Sequence, residues 1–418
     1  MAILRRPRAR PASVRGVRRP LLLGLLGLLG AGAIAQAAPK RAPVPAAKLD
    51  DPCVDHACKS HALDHFTKAL ATAKAGTADH ALRVSYFGDS LTADDHITAA
   101  LRDRLGALVG VGGPGFVYAA APHPYCQHQA VIRSATGSWK VHGISTMVPA
   151  DRLLGLGGSA ESEGGGVIRF QPVAPIKSVD VHYLAQPRGG SFGIFADGTE
   201  IGTDIATAGE QKRAAFSRVE VPDGTKKIEL RAKGRVRLFG AALEAARGVV
   251  VDNLGVVNAT AKALSQHDMP DHLKNQLAHR ASDLVIVMLG TNEAEWLLPQ
   301  GAGMAEHEQV FNDLLTSIRA ANPGGSCLVV SPLDQLDWHT PNTPPRASVP
   351  AMVEAQHRAA IAQGCAFWDV YTWMGGKGSS LHWFQRGLVV KDFQHPTNAG
   401  AARLAEALYA GLTGGLAR

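Results

Sequence analysis

The sequence predicts a three-layer α/β/α domain on a parallel sheet, interrupted by an inserted antiparallel β-sandwich. Three observations predict it. Apolar runs of strand length alternate with helical stretches before residue 126 and again after 248. Such alternation reads as parallel strands covered by helices on both faces. Between 126 and 248 the pattern changes to glycine clusters and short alternating runs, which read as antiparallel strands. Polar, chemistry-bearing blocks fall directly after two of the apolar runs, and ligands of open parallel sheets bind outside the carboxyl ends of the strands.

The chain has 418 residues and opens on a segment that reads as separate from the fold. Seven arginines (Arg5, Arg6, Arg8, Arg10, Arg15, Arg18, Arg19) precede an apolar run from Leu21 to Ile34, followed by Ala35-Gln36-Ala37. A basic start, a short apolar stretch and an A-x-A site are the marks of a secretory signal peptide over 1–37. The apolar run is too short to span a bilayer comfortably, so the mature chain is expected to be exported, periplasmic or extracellular, with no membrane span. The formal charge of +7 comes from those arginines and leaves the remainder near neutral. The basic balance therefore gives no support to a nucleic-acid partner.

Residues 38–48, rich in Ala, Pro and Lys, read as a linker with nothing to pack. From 49 to 125 the pattern predicts a helix over about 58–74, a strand at 82–87 and a helix over about 95–107. Within the insert, 179–184, 191–195, 218–221, 227–231 and 236–240 read as strands, with Asp197-Gly198 and Pro222-Asp223-Gly224 as turns. From 249 to 418 the runs at 249–254, 284–289, 327–331 and 366–370 read as buried strands, with helices near 304–321, 350–363 and 397–412. Of the five cysteines, Cys53 with Cys58 and Cys327 with Cys365 are the candidate pairs, leaving Cys126 over. His56, Cys58, His61 and His65 lack a spacing typical of zinc sites and read as an exposed polar face, so no metal is expected there.

The candidate chemistry sits in three blocks. Gly88-Asp89-Ser90-Leu91 follows the first strand, Gly290-Thr291-Asn292-Glu293 follows the strand at 284–289, and Asp392-Phe393-Gln394-His395 lies near the end. A serine needs an imidazole to take its proton as it attacks, and a carboxylate to fix the imidazole tautomer and stabilise the imidazolium. Ser90, His395 and Asp392 supply that set, and the Asn292 amide can donate to an oxyanion. Asp89 reads as a structural turn residue and Glu293 as a brace for the asparagine loop. No Gly-x-Ser-x-Gly surrounds Ser90, so the nucleophile elbow of α/β-hydrolases is absent.

These blocks, in this order, resemble the SGNH (GDSL-type) hydrolase superfamily, whose fold is flavodoxin-like. With Gly112-Gly113-Pro114-Gly115-Phe116, a β-insert and Asn253-Leu254-Gly255-Val256, the chain looks like exported bacterial peptidoglycan O-acetylesterases, in which the insert resembles a carbohydrate-binding module. The resemblance implies a serine esterase removing small acyl groups, O-acetyl first, from an acetylated glycan such as peptidoglycan, with no cofactor. It also implies an oxyanion hole of the Ser90 amide, the Asn292 side chain and a second-block backbone amide. There the chain departs from the family: Asn258 aligns with the usual glycine, and Gly255 is the other available donor. Trp139, Tyr183, Trp296 and Trp383 are candidates for sugar stacking or for the core. Two other readings use the same residues differently: a polysaccharide O-acetyltransferase with a sugar as acceptor, and a glycan-binding protein whose insert does the work.

Overall fold

A computed structural model describes residues 43–266, 271–296 and 303–414. The expected signal segment 1–37 and the side chain of Trp296 lie outside the described residues. The central sheet runs in the order Leu49–Asp50, Ala366–Trp368, Ser326–Val330, Leu284–Met288, Leu82–Gly88, Val249–Gly255. Its last five strands are parallel, and Leu49–Asp50 adds an antiparallel edge. Numbered along the chain, the parallel strands lie 2-1-3-4-5, the flavodoxin order, whose direction reverses between the first and third. Ser90 follows the first of these strands and Asn292 the third, so both stand at that reversal.

Pleating divides the strand residues between two cores. Val84, Tyr86, Ile286 and Leu328 face one side, against Phe66 and Leu70 of helix Asp64–Lys74, Leu101 of His96–Val109 and Leu404 of Asn398–Thr413. Phe87, Val285, Val287 and Val329 face the other, against Phe311 and Leu315 of Met304–Ala321 and Met352 of Ser348–Ala362. A disulfide between Cys327 and Cys365 ties two strands of this sheet, Cys53 pairs with Cys58, and Cys126 is free and buried.

The insert is a pair of antiparallel sheets. One runs Thr199–Ala206, Ser191–Ala196, Ile228–Lys233, Gly166–Pro172, Val131–Gly137; the other runs Arg213–Glu220, Ser178–Ala185, Val236–Glu244, Gly158–Ser162, Lys140–Gly143. Ile168, Phe170, Val181, Phe192, Ile194, Leu230 and Leu238 fill the space between them. The β-structure begins earlier than residue 126, because Gly115–Tyr118 pairs with Val236–Glu244. Val117 on that strand packs into the sandwich, whereas Phe116 and Tyr118 pack into the α/β core. This strand belongs to both modules.

A buried polar seam fixes the register of the two modules. Arg280 donates to Asp252 at 2.8 and 2.9 Å and to Glu244 at 2.5 Å, and Arg83 binds Glu244 from the first strand at 2.9 and 3.0 Å. Asp252 also accepts from the Phe116 amide at 2.7 Å. Charges this deep are tolerable only as a fully paired set. The stretch read as an unpacked linker is anchored at its end. Ala47 is buried, its amide donates to Ala407 at 2.8 Å, and Leu49–Asp50 then joins the sheet edge. Val44 and Ala47 are apolar enough to join the core even though the stretch is short and proline-rich.

Candidate active site

Strand Leu82–Gly88 ends in a turn that starts helix Ser90–Ala93. Asp89 caps that helix by accepting the Leu91 amide at 2.9 Å, and its carboxyl is fully buried. The turn presents Ser90 at the rim of a cleft of about 720 Å³. The same cleft is lined by Asn258, Asn292, Asp392 and His395.

The Asp392-to-His395 loop is held by its own carboxylate. Asp392 Oδ1 accepts the Gln394 amide at 2.9 Å and the His395 amide at 3.0 Å, which fixes Oδ2 at 2.9 Å from His395 Nδ1. To make that turn Phe393 adopts φ 57°, a left-handed conformation uncommon for a bulky residue. Its ring packs edge-on against Phe384 at 5.0 Å, a contact that helps hold the strained residue. His395 Nε2 then lies 2.9 Å from Ser90 Oγ. Burial pushes the Asp392 carboxyl up, but the His395 ring and the two amides outweigh it and hold it below the usual carboxylate range. The Asp392 hydrogen bond in turn raises His395 above the ordinary imidazole value, against the opposing effect of burial.

Three N–H groups belong to residues that line this cleft. The Ser90 amide stands at the start of a helical turn. Asn292 is buried and spends one Nδ2 hydrogen on Ala259 O at 2.8 Å, leaving the other. Asn258 takes φ 61°, a conformation asparagine tolerates better than most residues, and the residue lines the cleft. Gly255 does not share this position. Its amide donates to Asn253 Oδ1 at 3.0 Å, and a Cβ there would meet the Ala93 nitrogen at 2.5 Å. Gly255 thus lets the Val249–Gly255 strand approach the helix after Ser90, and the structure removes it as a donor.

The model of the GDSL-like lipase/acylhydrolase family matches residues 223–403, a span holding Asn258, Asn292, Asp392 and His395. Ser90 lies before that span, on the other side of the β-module. A solved structure titled as a peptidoglycan O-acetylesterase in action superposes with a TM-score of 0.71 at 24% identity, covering 84% of this chain and 95% of that one. Residues 223–403 thus match a GDSL-like acylhydrolase family, on a fold shared with that solved structure. The family match puts the reaction class in the hydrolysis of carboxylic acyl esters. An acetylxylan esterase from Geobacillus stearothermophilus is a more distant match, at 18% identity and a TM-score of 0.30, covering 40% of this chain and 73% of that one. No curated protein matches the chain.

Some residues of the cleft carry no motif. Tyr125 is 71% exposed and Trp338 49% exposed, and both line the cleft. Each sits in a loop, where neither periodicity nor a catalytic block marks it. Gln394 links the histidine loop to Glu295 at 2.6 Å. Three of the aromatics singled out from the sequence lie elsewhere. Trp383 and Tyr183 are buried, and Trp139 packs against the sandwich core and donates to Thr136 O at 3.1 Å.

Glu293, beside Asn292, accepts the Ala261 amide at 2.8 Å and so joins the asparagine helix to the loop carrying Asn258. Burial first, and then the Asp89 carboxylate, push its carboxyl up to about 7. The folded chain therefore holds a proton that the unfolded chain releases near 4.5. The associated stability is fully present below the unfolded value and is lost as pH rises through about 7. Glu293→Gln keeps the acceptor and removes the buried charge. Its unfolding free energy is expected to exceed the parent's by about 1–3 kcal/mol at pH 8, and to match it near pH 4.5. Urea melts at the two pH values check this; an equal gain at both would show that ionisation is not its source.

Proposed function

We propose that the chain is an exported serine esterase that removes O-acetyl groups from a cell-wall glycan, with peptidoglycan as the leading substrate. The observation that carries the reading is the unbroken chain from Ser90 Oγ through His395 to Asp392, at 2.9 Å for each step, lining an open cleft. Ser90 Oγ attacks the ester carbonyl carbon as His395 Nε2 takes its proton. The oxyanion is met by the Ser90 amide, the Asn258 amide and the Asn292 Nδ2–H. His395 returns the proton to the sugar oxygen, which leaves as the alcohol. Water, losing a proton to His395, then attacks the acyl-enzyme carbonyl; the bond to Ser90 Oγ breaks as His395 returns that proton to Oγ, and acetic acid leaves and ionises to acetate. These steps call on no cofactor.

The glycan reading is supported by the cleft and by the insert. A 720 Å³ cleft open to solvent can admit a substituent on a polymer, and the exposed faces of Tyr125 and Trp338 suit sugar rings. The solved structure that shares both modules across 84% of this chain is titled as a peptidoglycan O-acetylesterase. The leader over 1–37 would deliver the enzyme to the compartment where such a polymer lies.

The test is acetate release by the full chain from O-acetylated peptidoglycan and from acetylated xylan, with Ser90→Ala as the blank. Free acetate from peptidoglycan, absent in the blank, is the expected result. Serine-dependent turnover of an aryl acetate with no acetate from peptidoglycan would overturn the substrate. Acetyl groups appearing on an added acceptor glycan instead of in solution would make the chain a transferase.

A further inference from the structure

We propose that Asp180, His182 and His279 form a binding site for one zinc-class divalent ion, which staples the inserted β-module to the α/β domain. Asp180 and His182 lie on one face of strand Ser178–Ala185, two residues apart, and His279 comes from helix His272–Arg280 across the seam. One donor atom from each lies within 4.8 Å of the other two. None of the three lines the cleft around Ser90.

The orientation of His182 is the decisive feature. Its Nδ1 faces Gln276 Oε1 at 2.9 Å and must carry the proton to bond there, which leaves a lone pair on Nε2. That Nε2 has no hydrogen-bond partner among the described residues, on a side chain that is 0% exposed. Fixing one ring nitrogen as a donor so that the other points its lone pair is how proteins present histidine to a metal.

Asp180 repeats the pattern. It is 8% exposed; Oδ2 meets His279 Nε2 at 2.8 Å, and the buried Oδ1 has no partner. An ion pair with His279 and two apolar walls would explain Oδ2 but would leave both Oδ1 and His182 Nε2 unsatisfied. A cation seated between the three side chains satisfies both. His279 stacks on Phe216 at 3.6 Å, and its side chain is 31% exposed, which gives an ion a way in and allows the ring to close on it. Two imidazoles and one carboxylate favour zinc over calcium or magnesium, which prefer all-oxygen shells. Water completes the coordination.

The test uses the full chain with its disulfides oxidised, stripped by a chelator and then titrated with Zn²⁺. One equivalent retained after gel filtration, with a raised melting temperature, is the expected result. His279→Ala and Asp180→Asn should lose both the equivalent and the thermal shift, each judged against the variant's own metal-free melting temperature, while keeping the aryl acetate turnover of the parent. Co²⁺ should give a visible ligand-field spectrum in the parent and none in His279→Ala. The proposal is overturned if no equivalent is retained, if His279→Ala retains it, or if Ca²⁺ or Mg²⁺ gives the same thermal shift as Zn²⁺. These readouts do not depend on the esterase reading, so either proposal can fail alone.

Discussion

Ser90→Ala is expected to lower turnover of a short aryl acetate by about 10⁶, to the level that an oxyanion site without a nucleophile supports. The size follows from the lack of a substitute. Among the described residues, His395 Nε2 has one hydroxyl within hydrogen-bond reach, 2.9 Å away on Ser90. The remaining thiol, Cys126, is buried, and burial pushes it up, away from the reactive thiolate form. The substitution should leave the fold intact. Asp89 still caps the helix, and Leu91, Thr92 and Ala93 still pack beneath it. Matched melting curves for parent and mutant, alongside initial rates, make the comparison clean. If the folded mutant kept a tenth of the parent rate, the acyl-enzyme route through Ser90 would be wrong.

Much of this architecture is legible in the sequence because its signals are local. The run at 284–289 is apolar on both faces, as suits a buried parallel strand, the runs at 82–87 and 249–254 are apolar apart from Arg83, Ser85, Asp252 and Asn253, and each became a strand of the central sheet. What escaped reading depends on partners far along the chain. Gly115–Tyr118 looks like a continuation of the first domain, yet its pairing partner begins at Val236. Val131–Gly137 is mostly exposed, so it lacks the apolar alternation that marks a strand, and it forms through its ladder with Gly166–Pro172. The choice between Gly255 and Asn258 could not be made from composition. It turns on one hydrogen bond, from the Gly255 amide to Asn253 Oδ1. Tyr125 and Trp338 reach the cleft from loops whose course is set by tertiary packing, and no spacing rule anticipates that.

Asp392→Asn is the sharper test of the proposed mechanism, with an expected loss of about 10⁴ in turnover. The parent carboxylate only accepts: Oδ1 from the amides of Gln394 and His395, and Oδ2 from His395 Nδ1. Asparagine offers one oxygen and one NH₂ in the same space. The two backbone N–H groups claim the oxygen, which turns the NH₂ toward Nδ1. The imidazole must then carry its proton on Nε2, the atom that has to accept from Ser90, so the base is blocked while the loop is preserved. A pH series separates this from simple loosening. In the parent, the Asp392 hydrogen bond raises His395, and only the neutral ring works, so activity should climb through a midpoint above the ordinary imidazole value of 6.5. In the mutant that support is gone, and the midpoint of the residual activity should move to lower pH. Stability follows the same sign. A raised histidine contributes stability that is fully present below its unfolded pKa and is lost as pH rises through the folded one. The mutant should therefore melt below the parent by more at pH 6 than at pH 9. A turnover within tenfold of the parent, with an unmoved midpoint, would mean that Asp392 only shapes the loop, and another group would have to orient His395.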